Sequence, residues 1–248
     1  MSNKIINSGE RFEEDSNFAR MLSYCKALGE HNYREWFHQN HKWYEDAKAD
    51  FQELLELMRF WISDAAPALS KDIMYMHVKD WTYRIPRDMR IKNDKPPYDP
   101  SFRAYVCADR KSWLPIGYFI RIAPGTSCFG TGVWCWDTEH MNMIRDYIMN
   151  NIDEFDEIVR KGNLTVTGDK LKTMPRGYSE NCDGAEWMKF KNWSVIFDIP
   201  DEKLNDFNAF GKMVCRYVKR LEPFRQFMLR AAVNRRQHRQ ELTDFYNI

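Results

Sequence analysis

The chain contains no C-x-x-C pair, and its six cysteines (Cys25, Cys107, Cys128, Cys135, Cys182, Cys215) form no dense framework. That scatter predicts reduced thiols in a cytoplasmic protein. Charge of one sign is also missing. Lys and Arg number 37 against 36 Asp and Glu, a net charge of +1. So near a balance speaks against a general nucleic-acid or membrane-surface binder and leaves only a local patch as an option. The first residues, M-S-N-K-I-I-N-S-G-E-R-F-E-E-D, hold no apolar core of a signal peptide. No run approaches the roughly 18 apolar residues that span a bilayer, so no membrane partner is expected. Gly125-x-x-x-x-Gly130 lacks the Gly-Lys-Ser/Thr ending of a phosphate-binding P-loop. There is no recognised Ser or Cys nucleophile motif, no internal repeat and no low-complexity tract. No motif names a cofactor.

What is present is enough apolar matter for a core: 44% hydrophobic residues, including 9 Trp, 12 Tyr and 16 Phe. Residues 17–28 carry Phe18, Met21, Leu22 and Cys25 at helical spacing, with Gly29 as a stop. Asn32 with Glu35 fits a capping box opening one long helix to about Asp64, where Pro67 forbids continuation. Ile73 to Ile85, rich in aromatic and β-branched residues, reads as holding a strand. Phe102–Ala108, Ile116–Ala123 and Cys128–Trp136 read as a meander joined by short turns. Gly130 and Gly132 share one face of the last strand, which implies a bulge or a close approach there.

Asp137 is placed to cap a helix, and Asn151 with Glu154 a second, shorter one. Leu164 to Thr167 reads as a brief strand and Lys191–Ile199 as a longer one stopped by Pro200. A terminal helix starts at Asp201 and is kinked or restarted by Pro223. The expectation is a single α+β domain over 1–248, with 1–14 and 232–248 peripheral. A mainly antiparallel sheet of about 5–6 strands packs against several helices, including a long N-terminal and a C-terminal one.

The segment from Trp81 to Tyr105 stands apart. Between Arg84 and Arg103 it sets six cations (Arg84, Arg87, Arg90, Lys92, Lys95, Arg103) against three carboxylates (Asp88, Asp94, Asp99). Pro86, Pro96, Pro97 and Pro100 keep most of it from being helix or central strand. Guanidinium forks grip phosphate or carboxylate through paired charge-assisted hydrogen bonds. Arg84, Arg87, Arg90 and Lys95 are therefore candidates to hold a small anionic ligand, with Arg176 closing the site and Lys172 near it in sequence. Tyr98 and Trp134 are candidates to stack on a flat ligand, against the bland alternative that large aromatics are core.

Asp88 among arginines is held ionised and suits orienting water or accepting a proton, as in a hydrolase or transferase. Asp88 with Asp94 and a Glu from elsewhere could hold Mg²⁺, but the spacing does not require it, and no metal site is assigned. His31, His38 and His41 lack the ligand spacing of a zinc site. The alternative to the anion site is a non-catalytic interaction module in which the arginines and Asp88, Asp94 and Asp99 form an internal ion-pair clamp. The residues name no reaction.

Several of these stretches carry a resemblance. They are N-x-R-E-W-F from Asn32 to Phe37 with Trp43-Tyr44, and R-x-x-R-D-x-R-x-x-x-D-K-x-P-Y from Arg84 to Tyr98. Gly117-Tyr118, Pro124-Gly125, Gly130-x-Gly132-x-Trp134 and Leu171-Lys172-x-x-Pro175-Arg176-Gly177-Tyr178 complete the set. Together they resemble the uncharacterised family called domain of unknown function 2461, in order from about residue 18 to 225. Ile91, Lys92, Pro96 and Asp99 depart from the family's usual residues, so no role is carried over for Lys92 or Asp99. The resemblance marks the location of a site and implies no reaction.

Overall fold

A computed structural model describes residues 17–88, 95–108, 112, 114–135 and 137–246, with side chains described as far as residue 233. Five helices come first: α1 (Asn17–Glu30), α2 (Arg34–Gln39), α3 (His41–Ala65), α4 (Pro67–Ile73) and α5 (Val78–Trp81). The meander follows as β1 (Phe102–Val106), β2 (Gly117–Ile122) and β3 (Cys128–Trp134). Then come α6 (Thr138–Asn150), α7 (Ile152–Lys161), α8 (Ala185–Met188), β4 (Asn192–Asp198), a 3₁₀ turn (Asp201–Leu204) and α9 (Phe207–Tyr246). The fold is α+β, a single domain.

The sheet is antiparallel throughout, in the order β1-β2-β3-β4. Among the described residues it has four strands, slightly fewer than the 5–6 expected. Leu164–Thr167 contributes only the Thr167–Ser194 bridge, and of Ile73–Ile85 only the last residues, from Thr82 against Ala104, pair beside β1. Most of that second stretch is the end of α4, a turn and α5, in which Trp81 is fully buried and donates from its indole to the Cys107 carbonyl (3.1 Å). Tertiary packing of one tryptophan overrides strand propensity there.

Period-2 alternation divides the sheet into two faces. Phe102, Tyr118, Phe129, Trp193 and Val195 point into the core, where Phe102 meets Phe51 of α3 and Phe129 meets Tyr217 of α9. α3 supplies Ala47, Phe51, Leu54, Leu55, Met58 and Ile62 at three- and four-residue spacing, all buried. Burying each large side chain stabilises by roughly 1.5–3 kcal/mol. α9 is bonded to the sheet: Tyr118 donates to Glu222 (2.5 Å), which also accepts from Arg225 through two nitrogens (2.7 Å each). Arg225 is 2% exposed, so this carboxylate is its counter-charge inside the core.

Three helix boundaries depart from expectation. The long N-terminal helix is divided at Asn40, whose backbone leaves the helical region (φ −104, ψ 20) while its side chain donates to the Trp36 carbonyl (2.9 Å). Neither proposed capping box forms. Asn32 spends its amide on Tyr98, and Asn151 donates to the Tyr147 carbonyl instead of capping α7. The terminal helix begins at Phe207, not Asp201, and runs through Pro223 without restarting. Buried Phe224, Phe227 and Met228 hold it against the core beyond the proline's missing N–H. Asp137 does cap α6, accepting from the His140 N–H (2.8 Å). The peripheral stretch 1–14 lies outside the described residues; 232–246 continues α9.

Candidate functional site

The proline-stiffened segment folds back on itself. Arg87 N–H donates to the Pro97 carbonyl (2.8 Å), Asp99 N–H to Ile85 (2.9 Å) and Tyr83 N–H to Arg103 (2.9 Å). This short ladder continues the sheet outward from β1, at an edge where proline's missing N–H is tolerated. Its underside is pinned by Tyr98, 7% exposed and stacked on Phe37 of α2 at 4.2 Å with the rings 8° from parallel. Asn32 grips the backbone of Tyr98 from both sides, donating to its carbonyl and accepting from its N–H, each at 3.0 Å. Tyr98 is thus a core residue that seats the segment, and its ring is not available for stacking a ligand.

Asp99 is the hub of the segment's charges. Its carboxylate lies 3.2 Å from Arg87 Nη2 and 3.2 Å from Arg103 Nη1, and accepts from the Ser101 hydroxyl at 2.5 Å. Burial opposes its ionisation. The Ser101 hydroxyl, Arg103 and Arg87 outweigh that and hold the carboxyl below its ordinary range. Arg87 also donates to the Pro96 carbonyl (2.9 Å), and Arg103 to the Arg84 carbonyl (3.2 Å). Two guanidiniums therefore share one carboxylate.

A third joins them from β2. In the β1–β2 register Arg103 is directly opposite Arg121. Neighbours so paired project on the same face within reach of each other. Arg121 has no hydrogen bond or ion pair among the described residues, and the Nε atoms of both Arg103 and Arg121 are buried without a partner. Burial lowers the Arg103 pKa; Asp99 opposes that, and Arg121 and Arg87 add to it. Three guanidiniums thus meet one bonded carboxylate, and the next acid on this face is Asp198, across Cys128 from Arg121.

The other expected residues are distributed as follows. Arg84 and Lys95 are exposed. Asp88 is exposed beside Arg87. Arg90, with Lys92 and Asp94, lies outside the described residues. Trp134, 38% exposed, stands on the face of Arg121. It is at the opposite end of β3 from Cys128, Arg121's cross-strand partner, roughly 20 Å along the strand. It packs edge-on to Tyr105 (6.1 Å).

Arg176 is not brought to this group. Its segment is anchored beyond β4 by the Lys170–Phe190 bridge and on α6 by Tyr178, which donates to Asp146 (2.6 Å). Residue 167 pairs with β4 and residue 82 with β1, so those two sheet edges are roughly 24 Å apart.

The glycines of β3 do not open a space for a ligand. A Cβ on Gly130 would lie 2.3 Å from the Val195 carbonyl oxygen, and one on Gly132 2.6 Å from the Ser194 side chain. The approach that requires glycine is made by β4. Across Gly132, the Tyr105 hydroxyl donates to the Gly132 carbonyl (3.0 Å) and accepts from Gly117 N–H (2.9 Å).

Arg121 was the member that sequence reasoning missed. Its signal is a lone charge in the otherwise apolar strand G-Y-F-I-R-I, which becomes informative once register sets it against Arg103. The histidines serve locally: His31 stacks on Trp36 (5.7 Å), and His38 accepts from Arg34 (3.3 Å). Among the described residues no group of three His, Cys, Asp or Glu is placed to hold a metal ion. Burial pushes the Cys128 thiol up to about 11 despite Arg121, and the Cys25 and Cys135 thiols to about 12. These sulfurs are protonated at neutral pH and unactivated as nucleophiles.

An α+β domain with a four-stranded antiparallel sheet is the class this geometry defines. The chain belongs to the family described as conserved hypothetical protein (DUF2461), whose model matches residues 20–227. Comparison with curated proteins and with solved structures finds no match. Among the described residues no helix is long and apolar enough to cross a membrane.

Proposed function

We propose that the protein binds a small anionic ligand, bearing phosphate or carboxylate, at the cluster of Arg87, Arg103 and Arg121. The observation that carries this reading is Arg121. A guanidinium set opposite another guanidinium, with a buried Nε and no ion pair among the described residues, costs stability unless an anion joins it. Arginine's planar fork suits a tetrahedral or planar oxyanion. Arg84 and Lys95, exposed on the same segment, would add to the field that draws the anion in, and Asp88 beside Arg87 would orient it or act as base in a hydrolase or transferase step.

A specific observation also favours the structural reading. Arg87 is bonded to both Asp99 and the Pro96 carbonyl, which is how a clamp would be built. The two readings part at Arg121, which makes no hydrogen bond or ion pair among the described residues. Calorimetric titration of inorganic phosphate and of small phosphorylated and carboxylate compounds should show saturable binding to the natural chain. Binding should fall at least about tenfold in Arg121→Met, which keeps the length and loses the charge. Equal binding by both chains, or none by either, leaves only the clamp.

A further inference from the structure

A second concentration of charge lies on another part of the molecule, along the first turns of α9. There a groove of about 680 Å³ runs between α9 and the last turns of α3. Its floor is Trp61, flush against Gly211, where even a Cβ would come 2.7 Å from the indole ring. Its rim is Lys212, Arg216 and Lys219, all exposed and at four- and three-residue spacing, so they stand in one row on the helix. None of the three makes an ion pair or side-chain hydrogen bond among the described residues. The fourth cation, Arg220, is occupied, donating to the Gly162 and Asn163 carbonyls and lying over Phe197 at 4.6 Å. No carboxylate lines the groove, although Asp64 is near enough to influence Cys215.

From this arrangement we infer a second ligand site, for a nucleoside phosphate. Three uncompensated cations in a row spanning about 10 Å of helix call for more than one negative charge on the ligand. Trp61 lines the groove beside them, so a base seated there would meet the indole with cationic groups alongside for the phosphates. The size points to a small molecule: 680 Å³ falls within the range of small-ligand sites. This site is independent of Arg121 and stands or falls separately.

Calorimetric titration of the full chain with ADP, inorganic pyrophosphate, an acidic peptide and a short single-stranded oligonucleotide, at low ionic strength, tests it. ADP should bind, more tightly than pyrophosphate. Binding should weaken at least about tenfold in the triple variant Lys212→Glu, Arg216→Glu, Lys219→Glu and persist in Arg121→Met. The three lysine and arginine side chains are exposed, so the triple variant should melt near the natural chain; if it does not, Arg216→Glu alone is read, with the same expected direction. The inference is overturned by absent ADP binding, by ADP binding unaffected in the charge-reversed chain, or by ADP binding lost only in Arg121→Met, which assigns the nucleotide to the sheet. Pyrophosphate binding as tightly as ADP removes the role of the base, and tighter binding of the peptide or oligonucleotide through the same residues replaces the ligand class.

Discussion

Arg103 and Arg121 face each other across β1 and β2 with one carboxylate, Asp99, touching only the first of them. Strand pairing put two like charges on one face, and among the described residues only the first is ion-paired. The candidate site follows from that relationship more than from the number of arginines in the proline-rich segment.

Asp99 and Arg87 should differ in what their loss costs. Removing Arg87 leaves Asp99 paired with Arg103 and Ser101, so Arg87→Ala should cost about 1–2 kcal/mol. Removing the carboxylate leaves Arg87, Arg103 and Arg121 together without an acid. Asp99→Ala should therefore cost about 3–5 kcal/mol. Urea unfolding of both variants measures this; an Arg87→Ala cost equal to that of Asp99→Ala would make Arg87 the keystone of a clamp.

Acid should weaken the fold through two carboxylates. Burial opposes ionisation of Glu222, and hydrogen bonds from Arg225 and Tyr118 overcome it, so its folded pKa is depressed, as is that of Asp99. A depressed folded pKa gives stability that is present above the unfolded value, about 4, and is lost as pH falls through the folded one. Unfolding free energy should hold steady from neutral pH to about 5 and fall below about 4. Glu222→Gln should flatten part of that fall, and an unchanged acid limb in the variant would show that Glu222 does not contribute to it.

Asn32→Ala removes both hydrogen bonds to the Tyr98 backbone and leaves a carbonyl and an N–H of a buried residue without these partners. The expected loss is about 2–3 kcal/mol, with the segment around Arg87 loosened. Hydrogen exchange should report faster exchange at Tyr98 N–H in the variant. Protection as strong as in the natural chain would mean another group holds it.

These bonds also show how much could be read from the residues alone. The meander was legible because three short strand-like runs are separated by turn residues, and Pro124-Gly125 turns with Gly125 at φ 64. The α6 start was legible because Asp137 directly precedes the helix, where one carboxylate oxygen accepts from the His140 N–H and the other meets the His140 ring. Asn32 and Asn151 carried the same kind of signal and failed, since an amide bonds whichever backbone tertiary structure brings to it. Ile73–Ile85 had strand composition but is used around buried Trp81. At the site, Arg87 was legible from its crowded neighbourhood, whereas Arg121 sits alone in an apolar strand and acquires meaning only through register.

Gly132→Ala tests the tight approach of β4. The new methyl would overlap the Ser194 side chain and lie 2.6 Å from the Trp193 carbonyl oxygen. Overpacking of this kind costs about 1–3 kcal/mol. A melting temperature unchanged from the natural chain would mean that β3 and β4 separate more readily than their register implies.

The most direct measurement is the melting temperature of the natural chain and of Arg121→Met, each with and without inorganic phosphate. Relief of the opposed charges is worth up to about 1 kcal/mol, so the variant alone should melt about 1–4 °C higher. Phosphate should raise the melting temperature of the natural chain and leave that of the variant where it was. A variant that melts lower, or that gains as much from phosphate as the natural chain, contradicts an anion site built on Arg121.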